Sequence, residues 1–389
     1  MLMSIRQLIT NRHTFFGRGS VQQLIPLLKD PALPTVLFCG QSFLNGSAWQ
    51  QMKAELEPLL CGIERVSHEA SPDEIDAWVA RWRGKAARVL AIGGGSVLDA
   101  AKAVAALSQH PLPTLRYLEK VGDTAVSGAT LPLIAVPTTA GTGSEVTQNA
   151  VITDKTTLNV KASLRHANFV PPVAVLDPDL LRGASDRVLA CCGIDAFTHL
   201  FEAYLSNSGN AFTRQTAISG MQAFMRGWAA FNRDDAAGDE AREQMMMASW
   251  LGGQSLSMAG LGVIHGIAGE LGAIRDYHHG EVCGRLLLPF LQMLSESDHP
   301  QQVVLMQQLD AALFSRPEGS PALRLASWLT ANAIMPFWQS PPALSAGDTD
   351  WILARSNSKN SLVSWSRDQQ RWLLEQAFCV EHKRRVVRV

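Results

Sequence analysis

Three short, uninterrupted apolar runs constrain the fold of this chain more than any other feature. Val36-Leu37-Phe38-Cys39 breaks at Gly40, Val89-Leu90-Ala91-Ile92 ends at Gly93-Gly94-Gly95, and Leu133-Ile134-Ala135-Val136 ends at Pro137-Thr138-Thr139. Between the first two, Ile75, Trp78, Val79 and Trp82 recur at i, i+3, i+4 and i+7, the spacing of one helix face. Continuous apolar strands separated by amphipathic helices predict a parallel sheet covered on both faces. After Asp177-Pro178 the texture changes, and long helical patterns such as Ala217 to Ala230 and Glu240 to Met258 take over. A chain of 389 residues exceeds one ordinary core. The expected organisation is therefore an α/β, Rossmann-like domain over residues 1–180 and an all-α domain over 181–389. From about His299 to Asn360 the helical pattern is interrupted by Pro and Ser, as in Arg316-Pro317-Glu318-Gly319 and Gln339-Ser340-Pro341-Pro342.

Composition excludes several partners. The apolar and charged fractions, 47% and 18%, are those of a globular protein. A formal net charge of -1 gives no electrostatic footprint for nucleic acid. The one basic cluster, Lys383-Arg384-Arg385 to Arg388, reads as a solvated terminus. No apolar run approaches the ~20 residues of a membrane helix, and Met1-Leu2-Met3-Ser4-Ile5-Arg6 does not resemble a signal peptide. Six cysteines with no Cys-x-x-Cys pair predict reduced thiols and a cytoplasmic location.

Two loops carry the signs of phosphate binding. Gly93-Gly94-Gly95-Ser96 stands where a strand hands over to a helix beginning Val97-Leu98-Asp99. Glycines let the backbone approach a pyrophosphate, whose charge then faces free N–H groups at the helix start. Ser96 and Asp99 also have the spacing of a capping box. Leu98 replaces the third glycine of the usual dinucleotide fingerprint, so a ligand-free tight turn competes with the functional reading. The second loop runs from Pro137 to Thr147 and holds five hydroxyls and two glycines. Alone it reads equally well as a polar loop. Two such loops at the ends of parallel strands point to one crevice.

Asp195 and His199 stand at i and i+4 on a predicted helix, a spacing more common in plain surface pairs. Further on come His265-Gly266 and Tyr277-His278-His279-Gly280. One carboxylate and three imidazoles would suit Fe(II) or Zn(II) rather than Ca(II) or Mg(II), which take oxygen ligands.

The motifs Gly-Gly-Gly-Ser-x-x-Asp-x-x-Lys (93–102), Pro-Thr-Thr-Ala-Gly-Thr-Gly-Ser-Glu-Val-Thr (137–147), Asp-Ala-x-Thr-His-x-x-Glu-Ala-Tyr (195–204) and the two His-Gly pairs occur in order. In this combination the chain resembles the iron-containing (group III) alcohol dehydrogenases, from Phe16-Gly17-x-Gly19 to about Pro289. The resemblance implies Asp195, His199, His265 and His279 as ligands of Fe(II), with Zn(II) as the alternative, acting in catalysis through the metal. His279 is preferred to His278 because Gly280 follows it and 14 residues separate it from His265. Cys283, one turn on, reads first as a small packing residue, with stray metal ligation as the alternative. For NAD or NADP the resemblance implies Gly94, Gly95, Ser96, Thr138, Thr139, Thr142 and Lys161; Gln41 and Asp99 are added from their places after the first strand and in the first helix. It further implies a dehydroquinate synthase-like architecture, an active site between the domains, a small alcohol or aldehyde as substrate, and a homo-oligomer, dimer or larger.

Three positions depart from the family pattern. Many members carry a second His four residues after the first of the His-Gly pairs; this chain has Gly269, followed by Glu270. Several NAD-preferring members have an Asp after the first strand, where this chain reads Gly40-Gln41-Ser42. The Asn-Pro-Arg element near the C-terminus is reduced to Asn360-Ser361. A metal-independent reductase of the maleylacetate reductase type and a degenerate, non-catalytic member are the competing readings. A lyase of the dehydroquinate synthase type is disfavoured because residues 190–290 are poor in Lys and Arg.

Overall fold

A computed structural model describes residues 7–316, 319–334 and 343–381. The first six residues, Pro317 and Glu318, the Gln339-Ser340-Pro341-Pro342 stretch and the basic tail from Lys383 lie outside the described residues. Eight strands precede residue 177: β1 (His13–Phe16), β2 (Thr35–Cys39), β3 (Leu60–Arg65), β4 (Arg88–Gly93), β5 (Leu133–Pro137), β6 (Asn149–Asp154), β7 (Val160–Arg165) and β8 (Val173–Leu176). Among them run α1 (Leu24–Leu28), α2 (Gln41–Asn45), α3 (Ser47–Leu56), α4 (Pro72–Trp82) and α5 (Gly95–Leu107). Six strands form one sheet in the order β1-β8-β5-β4-β2-β3, and every neighbouring pair is parallel.

The apolar runs alternate between two cores, as period-2 side chains must. Val36 and Phe38 of β2, with Val89 and Ala91 of β4, join the core under α4 and α5. Leu37, Cys39, Leu90 and Ile92 join the one that takes in α1 and α3. The sheet is thus buried on both faces, which is why its strands lack polar alternation. α4 opens on a capping box between Ser71 and Glu74, and buries Ile75, Trp78 and Val79.

From β2 the chain steps outward to β3, then returns to place β4 on the other side of β2. Strand order therefore reverses between β2 and β4, and sheets of this kind hold their ligands outside the carboxyl ends at such a point.

The second part holds α6 (Asp186–Tyr204), α7 (Ala211–Trp228), α8 (Ala236–Ala259), α9 (Val263–Ile274), α10 (His279–Ser295), α11 (Pro300–Leu313), α12 (Pro321–Ala331), α13 (Ala346–Arg355) and α14 (Arg367–Ala377). α6 is buried almost continuously from Leu189 to Tyr204 and is flanked by α7, α8 and α10. Among the described residues no single helix is long and apolar enough to cross a membrane.

Two details add to the expected layout. The helical part is not purely α, because β9 (Ala343–Ser345) and β10 (Cys379–Glu381) pair as a short parallel ribbon. The first part also contains an antiparallel hairpin, β6–β7, outside the parallel sheet. Of the interruptions expected after His299, Pro317, Pro341 and Pro342 lie outside the described residues. Pro300 and Pro321 start α11 and α12, where a missing N–H costs nothing.

Candidate metal centre and nucleotide cleft

α5 begins at the switch point with no side-chain cap and no acidic residue in its first turn. The capping box expected from Ser96 and Asp99 is absent. Gly94 takes the N-cap position, and the Asp99 carboxylate turns away to accept from Ser144 Oγ at 2.5 Å and Val151 N at 3.0 Å. Val97 and Leu98 N–H donate to Gly94 O, so the N–H groups left for a ligand are those of Gly95 and Ser96. The two loops touch here. A Cβ on Gly95 would come within 2.5 Å of Thr142 Cγ2, and one on Gly94 would lie 3.3 Å from Thr139 Oγ1. Only glycine keeps this hollow, lined by hydroxyls, open to a phosphate. Thr138 extends the sheet edge by donating its N–H to Gly93 O. Gln41 opens α2 directly beyond β2 and donates to Asn45 Oδ1 at 3.0 Å.

Lys102 had no assigned role in the sequence, although it stands in the first motif. Its buried Nζ donates to Ser144 O and Oγ, Thr147 O and Oγ1, and Asn149 O, at 2.7–3.1 Å. With Asp99 one turn earlier it fixes the far end of the hydroxyl loop to α5. Burial pushes the Lys102 amine down to about 8 and the Glu145 carboxyl up to about 7.

The metal candidates come from three helices. α6 supplies Asp195 and His199, α9 supplies His265, and α10 opens with His279. Asp195 Oδ1 is 3.4 Å from His265 Nε2 and 3.8 Å from both His199 Nε2 and His279 Nε2. The close approach of α10 depends on Gly280, whose Cβ would fall 2.0 Å from Cys191 O and 3.1 Å from Asp195 Cβ. This is a physical reason for the His-Gly pair. It is the Nε2 of His279, not His278, that enters the group.

Donor atoms of Asp195, His265, His279 and Cys283 all lie within 4.8 Å of one another. Three of the four ligands implied by resemblance are therefore gathered. His199 borders them, its ring stacked on His265 with centroids 4.5 Å apart. Cys283, expected to be a packing residue, contributes its sulfur to the cluster.

Burial opposes a charge on Asp195, but His199, His279 and His265 outweigh it and hold the carboxyl well below its usual range. Burial, with the neighbouring cations, pushes His199 to about 4 and His279 to about 3, so both rings keep a lone pair at neutral pH. Asp195 Oδ1 is buried without a hydrogen-bond partner. An orphaned carboxylate oxygen facing imidazole nitrogens and a thiol is a donor set that fits a transition metal.

Glu202, two turns beyond Asp195 on α6, was quoted in the motif without a function. Its Oε2 accepts from His265 Nδ1 at 2.7 Å and its Oε1 from Ile264 N at 2.7 Å. A carboxylate behind a ligating imidazole fixes its tautomer and turns Nε2 toward the metal position. Sequence offered only the i+7 spacing from Asp195 as a signal.

Lys161, on β7, pairs with Glu69 at 2.5 Å and lies against Gly272 of α9. Although burial opposes it, Lys161 holds Glu69 at about 2. The nucleotide loop reaches the metal-bearing helix directly, since Gly141 packs on Cys192, three residues before Asp195 on α6. Gly269 looks into open space, with no atom within 4 Å of where a Cβ would stand. The Asn360-Ser361 element is tied to the chain just beyond α6: Asn360 O accepts from Asn207 N, and Ser361 bridges to Ser206.

A glycine–hydroxyl cradle at the switch point of a parallel sheet, facing a carboxylate–imidazole group held by helices, defines a class of two-part nucleotide- and metal-binding protein. Residues 11–178 match the profile "Iron-containing alcohol dehydrogenase" and residues 189–329 match "Fe-containing alcohol dehydrogenase family, C-terminal". The chain belongs to the iron-containing alcohol dehydrogenase family. It is 43% identical over 204 residues to the probable alcohol dehydrogenase EutG of Escherichia coli, an alignment covering 52% of this chain and 49% of that protein. Alcohol dehydrogenase 4 of Saccharomyces cerevisiae is 36% identical over 291 residues, 72% of this chain and 73% of the yeast protein. The chain thus spans about half the length of EutG (49%) and nearly three quarters of the yeast relative (73%). In fold it is similar to an archaeal halo-thermophilic alcohol dehydrogenase from a Red Sea brine pool, with a TM-score of 0.85, 20% identity, and 97% and 100% of the two chains covered.

Proposed function

We propose that this protein is a metal-dependent, NAD(P)-linked alcohol dehydrogenase or aldehyde reductase that moves hydride between the nicotinamide ring and a small alcohol or aldehyde. The observation that carries this reading is the contact between the two half-sites: the Gly141 backbone of the nucleotide loop packs on Cys192 of α6, three residues before Asp195. A ligand along the cradle would end at the metal group.

Asp195, His265 and His279, with His199 beside them, are the residues that would hold the metal. When bound, Fe(II) or Zn(II) supplies Lewis acidity, making an alcohol hydroxyl more acidic and a carbonyl more electrophilic. The chain's own part is placement. Gly94, Gly95 and the first turn of α5 receive the pyrophosphate, while Thr138, Thr139 and Thr142 offer hydroxyls to phosphate and ribose. Ser96 adds a further donor within that turn. Asp99 and Lys102 act through the loop they hold. Lys161 stands between β7 and α9, where it would meet the nicotinamide half of the cofactor. Glu202 orients His265, and burial of the helices keeps bulk water from the reacting carbons.

No acidic residue lies between Asp30 and Glu55, so nothing beyond β2 repels a 2′-phosphate, and both NAD and NADP are accepted in this reading. The free thiols of Cys39, Cys61, Cys191, Cys192 and Cys283 support a reducing, cytoplasmic setting. The homo-oligomer implied by the resemblance is part of the same proposal. The test is a screen of short aldehydes and alcohols with both cofactors, on protein reconstituted with iron or zinc. Oxidation of NADH or NADPH that depends on both aldehyde and metal is expected. Absence of turnover with every combination would defeat the proposal.

A further inference from the structure

Cys283 lies on α10, one turn beyond His279, and is fully buried. Its Sγ is 3.6 Å from His265 Nε2 and 3.7 Å from His279 Nε2. Asp195 Oδ1 is 3.4 Å from the first of these nitrogens and 3.8 Å from the second. Tetrahedral zinc, with N and O donors at about 2.0–2.1 Å and sulfur at about 2.3 Å, sets its corners roughly 3.3–3.6 Å apart. The two sulfur edges match that spacing, and the oxygen–nitrogen edges lie within about half an ångström of it. An independent sign of a cation is the buried Asp195 Oδ1, which faces this cage without a hydrogen-bond partner.

We infer that Cys283 is a ligand of this site, bound as a thiolate beside Asp195, His265 and His279, and that it turns the preference of the site from Fe(II) toward Zn(II). The inference rests on the metal-dependent reading above. His199 Nε2 lies as far from Asp195 Oδ1 as His279 Nε2 does, 3.8 Å, but the four donors that are all close to one another are those of Asp195, His265, His279 and Cys283. Thiolate is the softest donor available and favours zinc, already ahead of ferrous iron in the general order of affinities. Binding releases the thiol proton to solvent and forms one metal–sulfur bond, with no change of oxidation state.

The experiment titrates metal-stripped, full-length protein with Co(II) and follows its absorption. Visible ligand-field bands are expected together with a thiolate-to-cobalt charge-transfer band in the near ultraviolet. Cys283→Ser should lose the near-ultraviolet band and keep the visible ones, whereas Cys192→Ser should keep both. Visible bands alone in the unmodified protein would overturn ligation by Cys283 and leave the metal site standing. No bands of either kind would overturn both. X-ray absorption of the unmodified cobalt protein gives the answer without a variant, since a shell of nitrogen and oxygen only would exclude sulfur. Offered equal Zn(II) and Fe(II), Cys283→Ser should retain more iron than the unmodified protein, and an unchanged ratio would overturn the preference.

Discussion

Glu202 decides how the His265 ring is presented, because it accepts from the ring Nδ1 and from the backbone N–H groups of Ile264 and His265 together. Glu202→Gln keeps the shape but sets an amide NH2 against one of those donors. Metal affinity should then fall roughly 10–100-fold, the usual loss when such an outer partner is removed. Competition with a chelator measures it, and unchanged affinity would mean that packing alone sets the ring. Gly269 poses the opposite question, since its surroundings are empty. Its Cα lies one turn after His265, on the same helix face. Gly269→His should fit without strain, narrow the substrate range toward small alcohols and alter the pH profile of turnover near neutrality. An unchanged substrate ranking and pH profile would show that position 269 does not face the pocket. The two cases mark what single positions disclose. Asp195 and His199 were legible because their relation is local to one helix. Glu202 was visible only as a letter in a motif, since its partner lies 63 residues away. The surroundings of Cys283 were not legible, because a buried cysteine looks the same in sequence whether its neighbours are methyl groups or imidazoles.

α5 shows how a whole element can be found while its details go astray. Its start after Gly93-Gly94-Gly95 was evident from the apolar run before it, yet Ser96 does not cap it, and Asp99 serves Ser144 and Val151 instead. A cap motif predicts local bonds, but a long-range partner won. The β6–β7 hairpin escaped for a related reason: the chain was read for continuous apolar strands, while Val160, Ala162 and Leu164 alternate with more exposed residues. Buried in the hydroxyl loop near Lys102 and Asp99, Glu145 gives that loop a pH signature. Its folded pKa, about 7, lies above the ordinary 4.5, so the folded state holds the extra proton. The stability this supplies is complete below about pH 4.5 and is lost as pH rises through about 7, a change on the order of 3 kcal/mol. Glu145→Gln should flatten that slope in denaturation measured from pH 4.5 to 7.5, whereas a slope equal to the parent's would place the titration elsewhere. α10 yields a different test. Gly280→Ala would drive a methyl into Cys191 O, push the start of α10 away from α6, and abolish most metal binding while leaving the sheet intact. Full metal content in that variant would show that the helix can slide to make room.

At the scale of the whole molecule the described residues form three cores. Two cores line the faces of the sheet, and the third gathers the helices while taking in Ala140, Ala174 and Leu176 from the first part. The parallel sheet was readable because strands buried on both faces leave uninterrupted apolar runs. The place of β1 beside β8 was not, since His13–Phe16 is partly exposed and its pairing spans more than 150 residues. Seating the donors on α6 and α9, both packed against α10, and on α10 itself has a thermodynamic consequence. The helices already hold the donors near their final spacing, so metal binds the folded state and not the unfolded chain. By mass action, zinc at a hundred times its Kd should add about 2.7 kcal/mol to the stability of the helical part. Scanning calorimetry of metal-stripped protein should therefore show a cooperative transition that moves upward as zinc is added. Dinucleotide should act separately, through the sheet and its loops, so the two ligands should raise stability by different routes. A transition that zinc leaves in place, at concentrations where cobalt binding is complete, would show that the Asp195 group does not hold metal in the folded state.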